Sequence, residues 1–282
     1  MPRKSETRVV NPREKSQGKT PTKRPMGANN DATQSTLFVN SVEKAMRILR
    51  VFDARRPQLM LSEIAQLADL DLSAAQRFTY TLVELGYLVK KPQGRTYALS
   101  VRLLDFGYHY LASSDLVQRA TPHLQALSRE TGETTNITVL DGADVVFVQR
   151  MVSMHVLAPS VVVGSRLPAY CTAPGLAMLS LLSNDEVDEI LSQSDLVRHT
   201  ASTIVEPSRI RARLRQARAS GYAHTEDEYY IGDISTAVAI QGQDGRPEGA
   251  VNVAISRSRW QGKEHEAKVA SLLIMAARAI AR

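Results

Sequence analysis

The chain has 282 residues, 43% of them hydrophobic, a formal charge of +6 and a single cysteine, Cys171. That length and apolar content suffice for two folded domains, while one cysteine excludes an internal disulfide and any multi-cysteine zinc or iron–sulfur centre. The N-terminus has no apolar run of signal-peptide length, and Pro and Gly interrupt the most apolar region, Val156 to Tyr170. The expectation is a soluble, cytoplasmic protein with no membrane partner.

Positive charge is concentrated at the start. Residues 1–36 hold 8 Lys and Arg against 3 Asp and Glu, residues 37–100 hold 9 against 6, and residues 101–282 hold 18 against 20. The basic excess is the footprint of a nucleic-acid module joined to something else. Residues 1–36 have almost no large apolar side chains, so they read as a disordered basic arm, either adding salt-dependent phosphate attraction or dispensable.

Residues 37–100 read as one DNA-binding domain. In the first helix, 41–54, Val42, Ala45, Leu49 and Phe52 form the buried stripe and Ser41 suits an N-cap. Asn40, Ser41 and Lys44 then stand where a helix N-terminus meets a phosphate. From Leu61 to Arg95 comes a short helix, a polar break at Asp69–Asp71, and a second helix. Ser73 is the predicted cap of that second helix, and Gly86 its end. Ala75, Phe78, Leu82 and Leu85 are its buried stripe, leaving Ser73, Gln76, Arg77 and Tyr80 on open faces. Strand-like runs 87–90 and 96–99 flank a hairpin tip containing Gln93, Gly94 and Arg95. This is a winged helix-turn-helix pattern, whose second helix enters the major groove and whose wing approaches phosphates. Arg77 suits a guanine edge, Gln76 an adenine, and Tyr80 or Ser73, with Ala74 beside them, a phosphate or thymine methyl. The expected partner is double-stranded operator DNA.

Residues 101–114 read as a linker helix whose Val101, Leu104, Tyr108 and Leu111 make a short seam able to pair two copies. Residues 115–282 are mixed: a helix at 116–130, a hairpin of strands 135–140 and 145–150, a β-rich run at Val156 to Val163, and a helix from Pro174 continuing towards 192. A basic helix at 206–220 follows, then strands at 222–230, 235–241 and 249–256 and a closing helix at 262–281. The whole is an α/β (α+β) chain whose C-terminal domain has the form that encloses a small ligand.

Four stretches taken together resemble the isocitrate-lyase-regulator, or IclR-type, family of bacterial transcription factors: VNSVEKAMRIL at 39–49, LSAAQRFTYTLVELGYL at 72–88, the run from Tyr97 to Met151, and GSRLPAYCTAPGLAMLS at 164–180 with EDEYYIGDISTAVAI at 226–240. The resemblance implies a winged helix-turn-helix, a linker helix and a GAF-like antiparallel-sheet, ligand-sensing domain. It also implies a homodimer or dimer of dimers, nucleoid association, and repression or activation with RNA polymerase as a further partner. No cofactor is implied beyond a small organic, often aromatic, acid effector. By position, the resemblance places Ala173 and Pro174, Thr225 and Ser235, and Asn252 and Ala254 around that effector. Gly175-Leu176 stands where family members often have Gly-Lys or Gly-Arg, and Ser235 where they often have cysteine. A carboxylate ligand would suit backbone N–H groups near Pro174, with Ser235 and Asn252 as donors.

The rival reading is an enzyme or metal-dependent catalyst in the C-terminal pocket. Its best residues are His224, Glu226 and Glu228, which alternate along a strand-like run and so share one face. No phosphate-binding loop, nucleophile elbow or His-Glu-x-x-His pair is present, and Cys171 has no hydrolase signature around it. The expectation is no catalytic residue and no metal.

Overall fold

The structure, a computed structural model, describes residues 35–92, 95–155 and 161–281. The expected basic arm lies outside them apart from its last two residues.

Helix α1 spans Asn40–Arg50 and begins one residue earlier than expected: Val39 takes the extended N-cap conformation, with no side-chain cap bond. Ser41 is therefore inside the helix and exposed. Val42, expected in the buried stripe, is 60% exposed, while Ile48 is fully buried. Strand β1 (Leu59–Met60) leads into α2 (Leu61–Leu67), and α3 follows over Leu72–Glu84. The cap of α3 is Asp71 and not Ser73, because the Asp71 carboxylate reaches the Ala74 N–H at 2.8 Å and fixes the first turn two residues upstream of that serine's own reach. Gly86, at φ +80°, ends the helix in the left-handed region that favours glycine.

Strands β2 (Leu88–Lys90) and β3 (Thr96–Leu99) pair antiparallel, with β1 on the other side of β3. Ile48, Phe52, Leu59, Ile64, Leu82 and Leu88 form the core of this unit. The Arg47 guanidinium bonds to the Ala68 carbonyl at 3.0 Å and to Glu43 at 2.8 Å, tying α1 to the turn between α2 and α3.

The predicted linker helix is a 3-10 turn (Val101–Leu103) followed by α4 (Leu104–Ser113). No residue of α4 is buried, and Leu104, Phe106, Tyr108 and Tyr110 are all more than half exposed. Ser114 then caps α5 (Asp115–Thr131), which Gly132 closes at φ +68°.

The C-terminal domain is a six-stranded antiparallel sheet of β4 (Thr134–Asp141), β5 (Asp144–Met151), β6 (Arg166–Pro168), β7 (Ala223–Glu226), β8 (Asp233–Gln241) and β9 (Pro247–Ser256), in the order β6-β5-β4-β9-β8-β7. Helices α5 and α9 (Lys263–Ile280) cover one face over Leu124, Ile137, Val251, Val253 and Leu273. Helices α6 (Ala173–Leu179) and α8 (Pro207–Ser220) cover the other over Phe147, Leu176, Ile210 and Ala237. A Cβ on Gly175 would lie 2.2 Å from the Ala169 carbonyl oxygen, so only glycine lets α6 approach the preceding 3-10 turn this closely.

Three expectations fail here. The β-rich run expected at Val156 to Val163 is not a strand at 161–163, residues 156–160 lie outside the described ones, and the short edge strand is Arg166–Pro168. The helix expected from Pro174 to 192 divides, because Ser183 and Glu186 form a capping box that starts α7 (Asn184–Gln193) afresh. The strand expected over 222–230 stops at Glu226, where Asp227 turns to φ +57°.

Candidate DNA-binding surface and effector pocket

On the N-terminal unit, Ala75, Thr79 and Leu82 bury one side of α3, so Ser73, Gln76, Arg77 and Tyr80 emerge on the other. All four are exposed, Tyr80 by 64%, and the side chains of Gln76, Arg77 and Tyr80 bond to no other described residue. Ala74 is half-buried and its N–H is already held by Asp71. Asn40 and Ser41 are exposed in the first turn of α1, and Lys44 is half-buried one turn on. Arg95 is exposed at φ +54° at the hairpin tip, beside exposed Lys90 and Lys91; Gln93 and Gly94 lie outside the described residues. These positions offer a basic, polar surface with uncommitted donors, which is what phosphate and base-edge contacts need.

In the C-terminal domain, Ala173, Pro174, Thr225, Ser235, Asn252 and Ala254 all line one cavity of about 60 Å³ between the sheet and the start of α6. The register explains why the four strand residues among them meet. Thr225 pairs with Ser235, Ser235 with Ala254 and Ala254 with Thr134, one row across β7, β8, β9 and β4. The adjacent row on the same face runs Ala237, Asn252, Asn136, Arg150. Directly paired residues share a face, so both rows present small or polar side chains to one floor.

The floor is wired together. Asn136 Nδ2 donates to Asn252 Oδ1 at 3.2 Å, and Asn252 Nδ2 donates to Ser235 Oγ at 3.0 Å. Asn252 thus holds Asn136 and positions Ser235, which retains its hydroxyl proton for a ligand, and the second Nδ2 hydrogen of Asn252 has no partner among the described residues. At the start of α6, Pro174 has no N–H and the Leu176 N–H bonds to the Thr172 carbonyl at 2.9 Å. The expected cradle of N–H groups is therefore reduced to Ala173 and Gly175.

Sequence reasoning missed Asn136, Phe147, Arg150, Tyr229, Tyr230 and Asp233, which also line the cavity. Asn136 Oδ1 and Arg150 Nε are buried without a hydrogen-bond partner. Burial lowers the Arg150 pKa, with Asp233 and Tyr230 pulling the other way. Burial, then repulsion from Asp227, pushes the Asp233 carboxyl up to about 6, while Arg150 opposes the rise. Tyr229 packs edge-on to Tyr230 at 4.6 Å and against His199 at 4.6 Å, giving the cavity an aromatic wall. Burial pushes the Cys171 thiol up to about 12, so it stays protonated at neutral pH and packs as a small apolar group.

The rival metal face does not assemble. Beyond Glu226 the strand alternation is lost; Glu226 pairs with Arg257 at 2.9 Å, Glu228 is buried against Arg213, and His224 bonds Thr236 at 2.9 Å. Among the described residues, no three His, Cys, Asp or Glu side chains are grouped to hold a metal, and no described helix is long and apolar enough to cross a membrane.

Residues 41–92 match the model of the IclR helix-turn-helix domain, and residues 108–282 match that of the bacterial transcriptional regulator IclR C-terminal domain. The chain is 30% identical to the Pca regulon regulatory protein of Pseudomonas putida, over 86% of this chain and 82% of that one. It is 29% identical to the p-hydroxybenzoate hydroxylase transcriptional activator of Acinetobacter baylyi, over 79% and 84%. Among solved structures, an IclR homolog of Microbacterium hydrocarbonoxydans complexed with 4-hydroxybenzoate superposes with a TM-score of 0.71 at 24% identity, covering 85% of this chain and 97% of that one.

Proposed function

Because the chain belongs to the IclR family of bacterial transcriptional regulators, which bind DNA and are not enzymes, we propose that its operator binding is modulated by a small organic acid, aromatic in character, held between α6 and the floor of β4, β8 and β9. The observation that carries this reading is the convergence of all six predicted effector residues on one cavity. The Tyr229–Tyr230 wall suits a ring, and Ser235 and Arg150 suit an acid group. Two relatives support the aromatic class by what is said of them: one activates p-hydroxybenzoate hydroxylase expression, and another was solved with 4-hydroxybenzoate.

On the DNA side, α3 enters the major groove, with Arg77 and Gln76 reading bases. Asn40, Ser41, Lys44 and the wing hold phosphates. The exposed apolar surface of α4 pairs two chains, presenting two α3 helices to half-sites about one helical turn apart. The acid then shifts operator affinity by its differential affinity for the two arrangements of the pair. The test is fluorescence anisotropy of the full chain on duplex from upstream of its own and neighbouring genes against scrambled duplex, with 4-hydroxybenzoate, benzoate or acetate added. Sequence-selective binding that one acid changes is the expected result; selective binding that no acid changes removes the effector reading.

A further inference from the structure

The β5 strand contains an irregularity that decides what faces the cavity. Thr138 pairs with Phe147, Ile137 with Gln149 and Asn136 with Arg150, so β5 spends one residue more than β4 between Phe147 and Gln149. An extra residue of this kind reverses the alternation beyond it. Val145 and Phe147 pack on the α6 side, whereas Val148 packs with α5 and α9. Gln149, which strict alternation would have sent into the cavity, instead bonds to Thr121 of α5 at 2.8 Å. Arg150 takes its place, with its guanidinium 5.4 Å from the Phe147 ring centre on the cavity side.

A guanidinium so placed needs an anion. Its Nε is buried with no partner, and among the described residues no ion pair or hydrogen bond engages it. Leaving such a donor unmet costs free energy that an anionic, hydrogen-bond-accepting ligand would recover. We infer that Arg150, turned inward by the β5 bulge, is the charged anchor for the effector's carboxylate, so that the pocket selects organic anions over their neutral analogues. The inference rests on the effector reading above and adds the residue that sets its charge class. The acid group lies at the Arg150 end and the body of the ligand lies against Tyr229 and Cys171, all of which share the cavity wall. The charge of Asp233 partly offsets the cost of burying the Arg150 guanidinium.

Isothermal titration of the full-length protein compares 4-hydroxybenzoate, benzoate and acetate, each with its primary amide. The expected result is that at least one acid binds about ten- to a hundredfold more tightly than its amide. Arg150→Met should abolish that preference by weakening the acid alone, and Arg150→Lys should restore part of it. The comparison of acid with amide on the unaltered chain decides the matter even if Arg150→Met fails to fold: an amide that binds as well as its acid overturns the anchor. Equal acid affinity in Arg150→Met and the unaltered chain also overturns the anchor, while leaving the effector reading intact. Failure of every acid to bind the unaltered chain overturns both.

Discussion

Replacing Asp233 with Asn tests the electrostatics of the pocket in a way that does not depend on a ligand. Burial, reinforced by the charge of Asp227, raises this carboxyl from its ordinary 3.8 to about 6. The folded state therefore holds the proton more tightly than the unfolded chain does. Ionised Asp233 costs folding free energy above pH about 6, and the cost disappears as the pH falls below about 4. At about 1.4 kcal/mol per pH unit of displacement, the cost has a ceiling of about 3 kcal/mol. Partial solvent access and relaxation at the cavity mouth bring the expected value to about 1–2 kcal/mol. Asp233→Asn should thus stabilise the C-terminal domain by that amount at pH 8 and by almost nothing at pH 4. Urea unfolding of both proteins across that range, followed by far-ultraviolet circular dichroism, measures it. A variant that is less stable at pH 8, or whose advantage is the same at pH 4, would refute the reasoning.

Four further outcomes are expected. Asp71→Ala removes the cap of α3 and should cost about 1 kcal/mol in urea unfolding, more than Ser73→Ala, whose hydroxyl is not the cap. Gly175→Ala drives a methyl into the Ala169 backbone and should destabilise the domain by about 1–3 kcal/mol or more, seen as a lower Tm. In anisotropy titrations, Arg77→Ala should reduce discrimination between specific and scrambled duplex by about 1–3 kcal/mol, against little change in non-specific binding. The double change Leu104→Glu with Tyr108→Glu places charge on the exposed α4 surface and should yield monomers in sedimentation velocity; an unchanged assembly would exclude that surface as the pairing face.

Most of the element order was legible in the sequence because periodicity and turn chemistry agreed: Gly86 and Gly132 end helices where a left-handed residue is required, and Gly142 closes the β4–β5 hairpin at φ +61°. What failed was local competition. Ser73 and Asp71 both suit an N-cap, and only the geometry of the turn shows which reaches a free N–H. The Ser183–Glu186 box was readable as a capping pattern but was lost inside an apolar run that reads as one helix. In the pocket, six residues were reached by resemblance, and the convergence of the four on strands follows from register. Arg150 was illegible for a physical reason: the face of a strand residue is read by counting in twos, and the bulge adds one. Tyr229, Tyr230 and Asp233 were hidden likewise, because Asp227 breaks what reads as a continuous strand.

The coupling of the pocket to DNA is the central claim, and reciprocity tests it most directly. The affinity of the full chain for its operator is measured by anisotropy with and without a saturating acid, and the affinity for that acid is measured by titration of the free and the operator-bound protein. Linkage requires the two ratios to be equal, with typical couplings of about 5- to 150-fold. Matching ratios that differ from one are the predicted result. An acid that binds the cavity equally well in the free and operator-bound protein, leaving operator affinity unchanged, would contradict the account.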